Sequence, residues 1–417
     1  MNVHSQRSRC RILIAAGFFH PDRPSGSSRL AFDEACYLAS KGHDVSMLVN
    51  AASPADPEIA ESHGIRVIRY RVPSFSAFDP RRLHAHQKAA TALLRKYLPD
   101  VDYIHGHLPL QYRAALELYG NKADGVYSMH SPFPMELAAS CMNGVVDGIR
   151  RVIGPPIAAR VERKCLKESA RINSFSQFTR NCIGNIHGSQ LAEKTQVVPG
   201  WVDLTRFQIL RDRDAAKRQL KWPTDVPVFF TLRRLVPRMG LDRLIRAAAA
   251  LVHAGHEFKI VIGGTGPLRP DLESLVQELE VTRTVEFVGR VPEEALPVAY
   301  GACDCFILPT AMLECFGLIA IEALAAGRPV LATPIAAIPE VIRSFEPRWL
   351  ANAADEKSIT DLMGRYLRGE LPSHSPQELR DIVEQRFSAE RVLPRLEAVL
   401  FGKANGTDNA NFGAVNS

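Results

Sequence analysis

The chain alternates short apolar runs with amphipathic stretches from residue 11 to about residue 333. In the first half, the apolar run RILIAA precedes RLAFDEACYLASKG, whose apolar positions recur at helical spacing, and the apolar run DVSMLVN follows. Runs of the same kind continue through GIRVIRY, VDYIHGH, GVYSMHS and RINSF. Strands that alternate with helices of this length are typical of parallel βαβ units.

The second half repeats this order, with VPVFFTL, FKIVIGG, TVEFVGR, CDCFILP and PVLAT as predicted strands. A chain of 417 residues also favours two domains over one. We therefore predict an α/β protein with two Rossmann-like doubly wound parallel-sheet lobes that face each other across a cleft. The predicted divisions are residues 1–205, residues 206–380, a terminal helix over 381–401, and a disordered tail over 402–417.

Composition places the chain among ordinary globular proteins, with 46% hydrophobic and 23% charged residues. No apolar run reaches the roughly 18–20 residues that a membrane-spanning helix needs. The basic and apolar start of the chain lacks a small-residue cleavage site, so we interpret residues 11–16 as a buried strand rather than as part of a signal peptide. Eight scattered cysteines without metal-ligand spacing predict reduced, mostly buried thiols and a cytoplasmic location.

The charge is divided unevenly along the chain. Residues 1–200 contain 25 Lys and Arg against 17 Asp and Glu, a net charge of +8, whereas residues 201–417 contain 26 against 28, a net charge of −2. A basic N-terminal half suggests an anionic partner, such as a phosphorylated acceptor, a lipid headgroup or the inner face of a membrane. The alternative is a merely solvated basic face. Nucleic acid is not expected, because no reader motif occurs.

The stretch LECFGLIAIEALAAGRPVLAT, residues 313–333, follows a predicted strand that ends at Pro309. A helix is predicted to begin around Phe316–Gly317 and to stop at Gly327, where glycine suits the left-handed end of a helix. The free N–H groups at the start of this helix, together with its dipole, suit a phosphate or sugar oxygen. Gly317 would let such a ligand approach the backbone closely.

Two carboxylates flank this predicted helix start, Glu314 just before it and Glu322 inside the helix. Carboxylates accept hydrogen bonds from pairs of hydroxyl groups, so the pair suits polyhydroxylated rings such as a hexose and a ribose. The structural alternative is that Glu314 only favours the helix N-terminus and that Glu322 pairs with an arginine. From the carboxylates alone, both interpretations stay open.

The longer pattern ECFGLIAIEALAAGRPV resembles the E-x7-E signature of the retaining family-4 glycosyltransferases, which have the GT-B fold. The resemblance extends from about Arg11 to Phe401 and includes RRLVPRMGLDRLIRA, which is similar to the family's phosphate-binding GRL...KG...LI pattern. It implies that the terminal helix over 381–401 crosses back to the first lobe. It implies transfer of a hexosyl group from a UDP- or GDP-sugar to a hydroxyl acceptor, in glycan, glycolipid or exopolysaccharide synthesis. It also implies no cofactor and no metal, with the nucleotide sugar as donor substrate and a glycan, a lipid-linked molecule or a small molecule as acceptor.

The resemblance also assigns roles to individual positions. Glu314 would contact the donor sugar and Glu322 the ribose, while Phe316, Gly317 and Leu318 would offer backbone N–H groups to the sugar and phosphate. The expected catalytic residues are Glu314, His130, Arg234 and Arg238. Further donor contacts are expected at Gly266, Arg290 and Val291, and the loop that approaches phosphate and acceptor contains Ser25 and Gly26. His105 and His107 fit a strand-end role near the acceptor, and Ser174, Ser176 and Thr179 fit a structural polar turn.

The sequence departs from the family pattern at several positions. Met239 stands where the family usually has a diphosphate-binding lysine, so either Arg238 replaces it or phosphate affinity is weaker. Trp201 follows Gly200 where Asn-Gly is usual, and it would either stack on an acceptor or pack against the hinge. Ala336–Ala337 replaces a usual Gly-Gly, which puts a backbone contact near the sugar in doubt.

Other activities fit the same pattern. A nucleotide-sugar epimerase or a sugar phosphorylase would use a related donor site, and a non-catalytic nucleotide-sugar-binding protein would retain part of it. The joint presence of Glu314, Glu322, His130 and Arg234 argues against the non-catalytic alternative.

Overall fold

The computed structural model describes residues 9–73, 81–139 and 145–403. Contacts divide the chain into two compact units, and the first unit ends at Pro199 and resumes at Leu393. The second unit comprises Gly200–Val392. The first boundary therefore lies a few residues before the one drawn from the sequence at residue 205. Most of the tail predicted to be disordered lies outside the described residues.

The first unit is built on an eight-stranded sheet with the strand order β3-β4-β2-β1-β5-β6-β7-β8. All neighbouring pairs are parallel except the edge pair of β3 and β4, which is antiparallel. The parallel strands confirm the predicted βαβ order, whereas β3 was not predicted, because its four residues carry no run of apolar positions. The strands are β1 (Arg11–Phe18), β2 (Asp44–Asn50), β3 (Ile59–Ser62), β4 (Ile65–Tyr70), β5 (Tyr103–Gly106), β6 (Asp124–Met129), β7 (Arg171–Ser174) and β8 (Thr195–Val197).

Seven helices accompany this sheet in the described part of the first unit up to Pro199. The helix that follows β1 shows why these elements form: its buried stripe includes Leu30, Ala31, Ala35 and Leu38 at helical spacing, and each large apolar side chain that is buried contributes about 1.5–3 kcal/mol. The helices are α1 (Gly26–Ser40), α2 (Arg81–Tyr97), α3 (Pro109–Tyr119), α4 (Phe133–Ala139), α5 (Val145–Glu168), α6 (Gln177–His187) and α7 (Ser189–Lys194).

Helix α5 is longer than the sequence pattern indicated. The helical pattern ARVERKCLKESA covers only residues 159–170, but α5 begins at Val145 and contains Pro155 and Pro156. Proline lacks a backbone N–H and normally interrupts a helix, which is why the pattern upstream of the pair did not favour one. Downstream of the prolines, the helix continues with buried residues such as Ala158 and Cys165.

The second unit is built on a five-stranded parallel sheet with the strand order β11-β10-β9-β12-β13. Its strands match the five predicted apolar runs. The strands are β9 (Val228–Leu232), β10 (Lys259–Gly263), β11 (Val285–Gly289), β12 (Cys305–Leu308) and β13 (Val330–Ala332). The helices that begin in this unit are α8 (Arg213–Gln219), α9 (Leu241–His253), α10 (Arg269–Glu278), α11 (Leu296–Ala302), α12 (Leu318–Ala325), α13 (Ile338–Ile342), α14 (Glu356–Leu367), α15 (Pro376–Phe387) and α16 (Ala389–Phe401).

The terminal segment forms two helices, α15 and α16, rather than the single helix predicted over residues 381–401. Ser388 between them is extended, with φ −67° and ψ 148°. Val202 donates its N–H to the Phe387 carbonyl at 2.9 Å and accepts the Ala389 N–H at 3.1 Å. These bonds replace the helical hydrogen bonds at that point, so the helix is interrupted.

The end of α16 completes the first unit. The Phe401 ring lies 4.9 Å from the ring of Tyr103 and 5.2 Å from the ring of His43, measured between centroids. One turn earlier, Glu397 accepts a 2.6 Å hydrogen bond from the Tyr37 hydroxyl. A segment close to the end of the chain therefore belongs to the unit that the N-terminal residues build.

Two further predictions concern cysteines and membrane spans. Cys303 and Cys305 are fully buried thiols at β12, as predicted for core residues. The seven cysteines among the described residues are unpaired, and Cys141 lies outside them. Searched over the same residues, the helices include none whose length and hydropathy would allow it to cross a lipid bilayer.

Candidate active site

The five-stranded sheet brings most of the predicted donor-site residues to one edge. Loops that follow parallel strands emerge at the carboxyl edge of a sheet, and ligands bind where the strand order reverses. In the second unit the order reverses between β9 and β12. Arg234 and Arg238 follow β9, Gly266 follows β10, Arg290 and Val291 follow β11, and Glu314 with Phe316, Gly317 and Leu318 follows β12.

The loop between β12 and α12 confirms the predicted helix start and end. Gly317 has φ +91° and ψ 52°, a left-handed conformation that favours glycine, and α12 begins at the next residue. At the other end, Gly327 has φ +74°, as the pattern predicted. The first N–H groups of a helix lack intrahelical acceptors, so that of Leu318, the first residue of α12, suits an anionic or hydroxyl group, whereas the Ala320 N–H already donates to the Gly317 carbonyl at 2.9 Å.

Phe316 anchors this loop through its side chain. Its ring is 8% exposed and lies 5.9 Å from the ring of Phe387. A Cβ atom on Gly200 would come within 2.7 Å of the Phe316 ring, so only glycine fits there without a shift. Trp201, the next residue, is 3% exposed. It is part of the packing, and the alternative that it stacks on an acceptor is wrong.

Glu314 is held by a buried arginine that the sequence did not identify. Nη1 of Arg233 donates to Oε2 of Glu314 at 3.0 Å, and Nη2 donates to Oγ1 of Thr310 at 2.8 Å. The Arg233 side chain is 3% exposed and that of Glu314 19%. Burial lowers the pKa of Arg233, and the nearby Glu314 carboxylate opposes that shift. The pair therefore fixes one carboxylate oxygen of Glu314 and leaves the side chain partly accessible.

Arg234, the predicted phosphate ligand, is the exposed neighbour of this buried arginine. The two differ because Arg233 turns toward β12 while Arg234 faces solvent. A sequence signal for Arg233 existed: it occupies the glycine position in the resemblance to GRL...KG...LI. A large cationic side chain at a position that is normally glycine indicated that Arg233 has a specific partner.

Arg238 contacts the same loop from the other side. Its Nη1 donates to the Leu313 carbonyl at 2.8 Å, and Leu313 has φ +50°, which is uncommon outside glycine. Met239 is 6% exposed and packs inside. Arg238 therefore holds the backbone just before Glu314, and its guanidinium lies at the carboxyl edge where the missing lysine was expected.

Ala336 occupies a strained position beside this loop. It has φ +55°, and the next residue, Ala337, donates its N–H to the Glu314 carbonyl at 2.9 Å. The left-handed conformation costs a residue with a Cβ atom about 1–2 kcal/mol. Ala337 therefore holds the backbone at Glu314, and the departure from the usual Gly-Gly adds strain at Ala336.

Substitution of Ala336 by glycine is expected to raise the free energy of unfolding by about 1 kcal/mol, because glycine adopts φ +55° without a steric penalty. Urea unfolding of the second unit would measure this change. Ala337→Gly serves as a control, because Ala337 has φ −84° and glycine there should be destabilising. Equal destabilisation by both variants would contradict the strain at Ala336.

Glu322 and Gly266 have clear structural partners. The Glu322 carboxylate accepts a 2.7 Å hydrogen bond from the buried hydroxyl of Tyr300, and burial, followed by the charge of Glu322, raises the pKa of Tyr300. A Cβ atom on Gly266 would lie 2.4 Å from the Leu235 carbonyl oxygen. Gly266 therefore allows the loops after β9 and β10 to pack closely.

The first unit contains a second polar group at the carboxyl edge of its sheet. Oε1 of Glu34 lies 2.6 Å from Nδ1 of His105, and Oε2 lies 2.9 Å from Nε2 of His107. Nδ1 of His107 lies 2.8 Å from Nε2 of His130. The Glu34, His105 and His107 side chains are almost fully buried, whereas His130 at the end of β6 is half-buried. The chain of bonds thus leads from a buried carboxylate to a partly exposed imidazole.

Burial and the neighbouring side chains together set the charges of the residues in this cluster. Burial alone would raise the pKa of Glu34, but the interactions with His105 and His107 outweigh it and lower the pKa to about 2. Burial, and then the neighbouring His105, lowers the pKa of His107. Burial also holds the pKa of His130 well below its usual value. At neutral pH, Glu34 is therefore an anion, and His107 and His130 are neutral.

Glu34, His105 and His107 also bring potential metal ligands within 4.8 Å of one another. The oxygen–nitrogen separations of 2.6 and 2.9 Å are those of hydrogen bonds. Ligands around tetrahedral zinc, at about 2.0–2.1 Å from the metal, would lie about 3.3 Å apart. We therefore interpret the group as a hydrogen-bonded cluster.

The His105 and His107 side chains are 0% and 1% exposed, so they cannot contact an acceptor directly, and a role near the acceptor stays a prediction. Glu34, their partner, was missed. The signal was present, because Glu34 lies on the apolar stripe of α1 between Ala31 and Leu38. Glutamate is rarely fully buried without a partner, so that position indicated a polar group inside the unit.

The predicted loop residues Ser25 and Gly26 lie at the start of α1. Ser25 caps the helix by accepting the Ser28 N–H at 3.2 Å, and Gly26 is the first helical residue. Both are exposed at the carboxyl end of β1. The polar turn predicted at Ser174, Ser176 and Thr179 is buried, with Ser176 capping α6.

A cavity of about 700 Å³ opens at the same edge of the first sheet, near the strand-order reversal between β1 and β5. Its floor includes Gln111, which donates to the Tyr70 hydroxyl at 2.8 Å and whose amide oxygen has no partner among the described residues. Arg23 and Arg71 line its rim and are exposed. The described lining residues include these two arginines and no carboxylate. The Asp56 carboxylate lies just behind the lining, where it accepts the N–H groups of Ala52 and Ser53 at 2.7 Å.

Comparison with known proteins shows to which family this chain, with polar groups at the carboxyl edges of two sheets, belongs. The model of the family described as Glycosyltransferase Family 4 matches residues 24–206, and that described as Glycosyl transferases group 1 matches residues 212–385. The chain belongs to glycosyltransferase family 4. The resemblance stated from the sequence is therefore confirmed, and the chain is an enzyme of the glycosyltransferase class.

Several curated relatives carry more specific names. A D-inositol 3-phosphate glycosyltransferase of Nocardia farcinica is 28% identical over 344 residues, which cover 79% of this glycosyltransferase and 74% of the relative. A GDP-mannose-dependent alpha-(1-6)-phosphatidylinositol monomannoside mannosyltransferase of Mycolicibacterium smegmatis is 29% identical over 218 residues, 51% of this chain and 56% of the relative.

Solved structures confirm the GT-B fold of this glycosyltransferase. Sucrose-phosphate synthase from Thermosynechococcus elongatus matches with a TM-score of 0.78 at 22% identity, covering 95% of this chain and all of that one. Anabaena HepE, solved in complex with UDP and glucose, matches with a TM-score of 0.73 at 16% identity, covering 94% of this chain and all of that one. At these identities, the likeness supports the fold alone.

Proposed function

We propose that this glycosyltransferase moves a hexosyl group, with retention of configuration, from a nucleotide-diphosphate sugar to a hydroxyl acceptor. The observation that carries the proposal is the carboxyl edge of the five-stranded sheet, where Glu314, Glu322 and the N-terminus of α12 follow one another beside Arg234 and Arg238. This edge combines acceptors for sugar hydroxyls with donors for phosphate oxygens.

In this proposal, the partly accessible Glu314 contacts the donor sugar, and Glu322, held by Tyr300, contacts the ribose. Arg234, Arg238 and the N–H groups at Phe316–Leu318 stabilise the charge that develops on the departing nucleoside diphosphate, in place of a metal ion. Gly266, Arg290 and Val291 lie on the neighbouring loops, where the base would bind. No protein nucleophile is required, because the acceptor attacks from the face that the diphosphate leaves.

Binding of a nucleotide tests the donor part of this proposal. A thermal-shift screen of the full chain with UDP, GDP and ADP should raise the melting temperature with one of them, because a ligand that binds only the folded state stabilises it. Incubation with the matching nucleotide sugars, with and without inorganic phosphate, then separates the activities. A changed sugar would indicate an epimerase, a sugar phosphate would indicate a phosphorylase, and binding without turnover would indicate a non-catalytic protein.

We infer that the acceptor binds in the cavity of the first unit and carries a phosphate group. Arg23 and Arg71 at the rim would bind the anion, and the free amide oxygen of Gln111 at the floor would accept a hydrogen bond from a hydroxyl group. The names of two relatives, which refer to inositol phosphate and to a phosphatidylinositol glycolipid, support an acceptor of this class.

Substitution of Arg71 by glutamine is expected to raise KM for an inositol phosphate acceptor about tenfold, since a lost charge-assisted bond contributes about 1.5 kcal/mol. The KM for the nucleotide sugar should stay unchanged. Arg66→Gln, in the strand β4 that ends just before Arg71 and outside the cavity lining, is the matched control. An equal rise in both KM values, or the same rise with Arg66→Gln, would contradict this acceptor site.

We also propose a peripheral contact with an anionic membrane at the cytoplasmic face, through α5. Val152, Ile153 and Ile157 are 73%, 54% and 43% exposed. Arg160 and Lys164 continue the helical face of Ile153 and Ile157 and are also exposed. Exposed apolar residues next to basic ones suit the headgroup region of an anionic bilayer, and the net charge of +8 in residues 1–200 has the matching sign.

Co-sedimentation with vesicles tests this contact. The protein is expected to bind vesicles that contain phosphatidylglycerol at low salt, and the double variant Val152→Ser/Ile153→Ser should bind several-fold less, because two apolar side chains are lost. Val288→Ser, at an apolar residue of the second unit that is 40% exposed, is the control. No binding at low salt, or equal loss with the control, would remove the proposed membrane contact.

A further inference from the structure

The half-buried imidazole of His130 ends a chain of hydrogen bonds that begins at Glu34 and passes through His107. Among the described residues, the His130 ring has one hydrogen-bond partner, Nδ1 of His107. The protonation of His107 therefore decides which nitrogen of His130 carries hydrogen. That protonation in turn depends on Glu34.

The tautomer of His105 is fixed first, from the far side of the cluster. Val198 donates its N–H to Oδ1 of Asn173 at 3.1 Å, which orients the amide so that Nδ2 donates to Oγ of Ser128 at 3.1 Å. The Ser128 hydroxyl then donates to Nε2 of His105, 2.8 Å away. His105 must carry its hydrogen on Nδ1, from which it donates to Glu34.

The tautomer of His107 follows from the charge of Glu34. A carboxylate only accepts hydrogen bonds, so Nε2 of His107, at 2.9 Å from Oε2, must be the protonated nitrogen. Because His107 is neutral, its Nδ1 is an acceptor, and it takes the hydrogen bond from Nε2 of His130. Nδ1 of His130 then has a free lone pair.

We propose that Glu34 and His107 are positioning residues that hold His130 with hydrogen on Nε2, so that Nδ1 of His130 accepts a hydrogen bond from a substrate hydroxyl group. His105 shares the buried carboxylate with His107, and Ser128 bonds to the far side of the His105 ring. Within the described part of the chain, no hydrogen bond joins either residue to His130. The link from tautomer to turnover rests on the proposed function, whereas the tautomer itself does not.

Substitution of Glu34 by glutamine reverses the tautomers without removing a hydrogen bond. His105 remains protonated on Nδ1, since the opposite tautomer would leave the buried Ser128 hydroxyl proton without an acceptor. The amide oxygen of the introduced glutamine must therefore face His105, and its NH₂ group faces His107. His107 then accepts on Nε2 and donates from Nδ1, which moves the hydrogen of His130 from Nε2 to Nδ1.

Nitrogen NMR of the full chain, labelled with ¹⁵N-histidine, tests this prediction, because protonated and unprotonated ring nitrogens resonate far apart. Loss of signals in His130→Gln assigns the resonances of that ring. We expect Nε2 of His130 to be protonated in the native chain and in Ser128→Ala, the matched control that loses one bond of the same cluster. We expect Nδ1 to be protonated in Glu34→Gln.

Turnover is measured on the same samples. Glu34→Gln should lower kcat for sugar transfer about 10- to 100-fold, with an unchanged KM for the donor, because the misplaced hydrogen removes an acceptor at the reacting group. An unchanged His130 tautomer in Glu34→Gln, or the same change in Ser128→Ala, would overturn the proposal, and so would a switched tautomer with native turnover. If the native chain transferred no sugar, the proposed function would fail while the tautomer result stood.

Discussion

Substitution of Glu314 by glutamine is expected to lower kcat for sugar transfer about 10²–10³-fold, the range for loss of one preorganised electrostatic contact in an active site. Glutamine has the same size but lacks the charge, so its hydrogen bonds to sugar hydroxyls are weaker. The bond from Arg233 to the side-chain oxygen survives, so the fold should be retained. Steady-state kinetics at saturating nucleotide sugar would measure the effect.

The second carboxylate of the signature provides the comparison. Glu322→Gln should act mainly on KM for the donor, because Glu322 is held by Tyr300 and would bind the ribose, which does not react. Glu278→Gln, at an exposed position on α10, should leave both constants unchanged. Native kcat in Glu314→Gln at saturating donor would show that the assignment of Glu314 is wrong.

Removal of the Arg233 side chain is the other large effect. Arg233→Met is expected to lower the free energy of unfolding of the second unit by about 3 kcal/mol, because Glu314 and Thr310 lose a buried charged partner. Trp201, Trp222 and Trp349 are the three tryptophans of the chain, and all lie in the second unit. Tryptophan fluorescence during urea unfolding therefore reports on this unit alone.

Arg234→Met is the matched control, with the same chemical change one residue further along. Its side chain is exposed, so its stability effect should stay within about 0.5 kcal/mol. It should weaken nucleotide binding instead, if Arg234 binds the diphosphate. Equal losses of stability in the two variants would contradict the special position of Arg233.

The sequence was sufficient where one local cause fixed the structure. Helix α12 begins after Gly317 and ends before Gly327, because each glycine adopts a left-handed conformation that other residues avoid. The central strands of both sheets followed from apolar runs, because strands covered on both faces are apolar throughout. The edge strand β3 has no such run and was not predicted. The family resemblance then rested on a long pattern at these same positions.

Contacts between distant residues could not be predicted in this way. Glu34 meets His105 and His107 across about 70 residues, and Arg233 meets Glu314 across about 80. The break at Ser388 depends on Val202, and the burial of Trp201 depends on its surroundings within the second unit. Each of these features depends on a partner residue far away in the sequence, which a local pattern cannot identify.

The end of α16 affects how the protein is synthesised, because it contacts residues from the start of the chain. Glu397 accepts a hydrogen bond from Tyr37, and Phe401 packs against His43 and Tyr103. The first unit lacks its last helix until the whole of Gly200–Val392, the second unit, has been synthesised. At roughly 5–20 residues per second, the interval between Pro199 and Leu393 lasts about 10–40 s. During that time the faces of Tyr37 and Tyr103 lack their partners, so we expect the nascent first unit to be the stage at which chaperones bind.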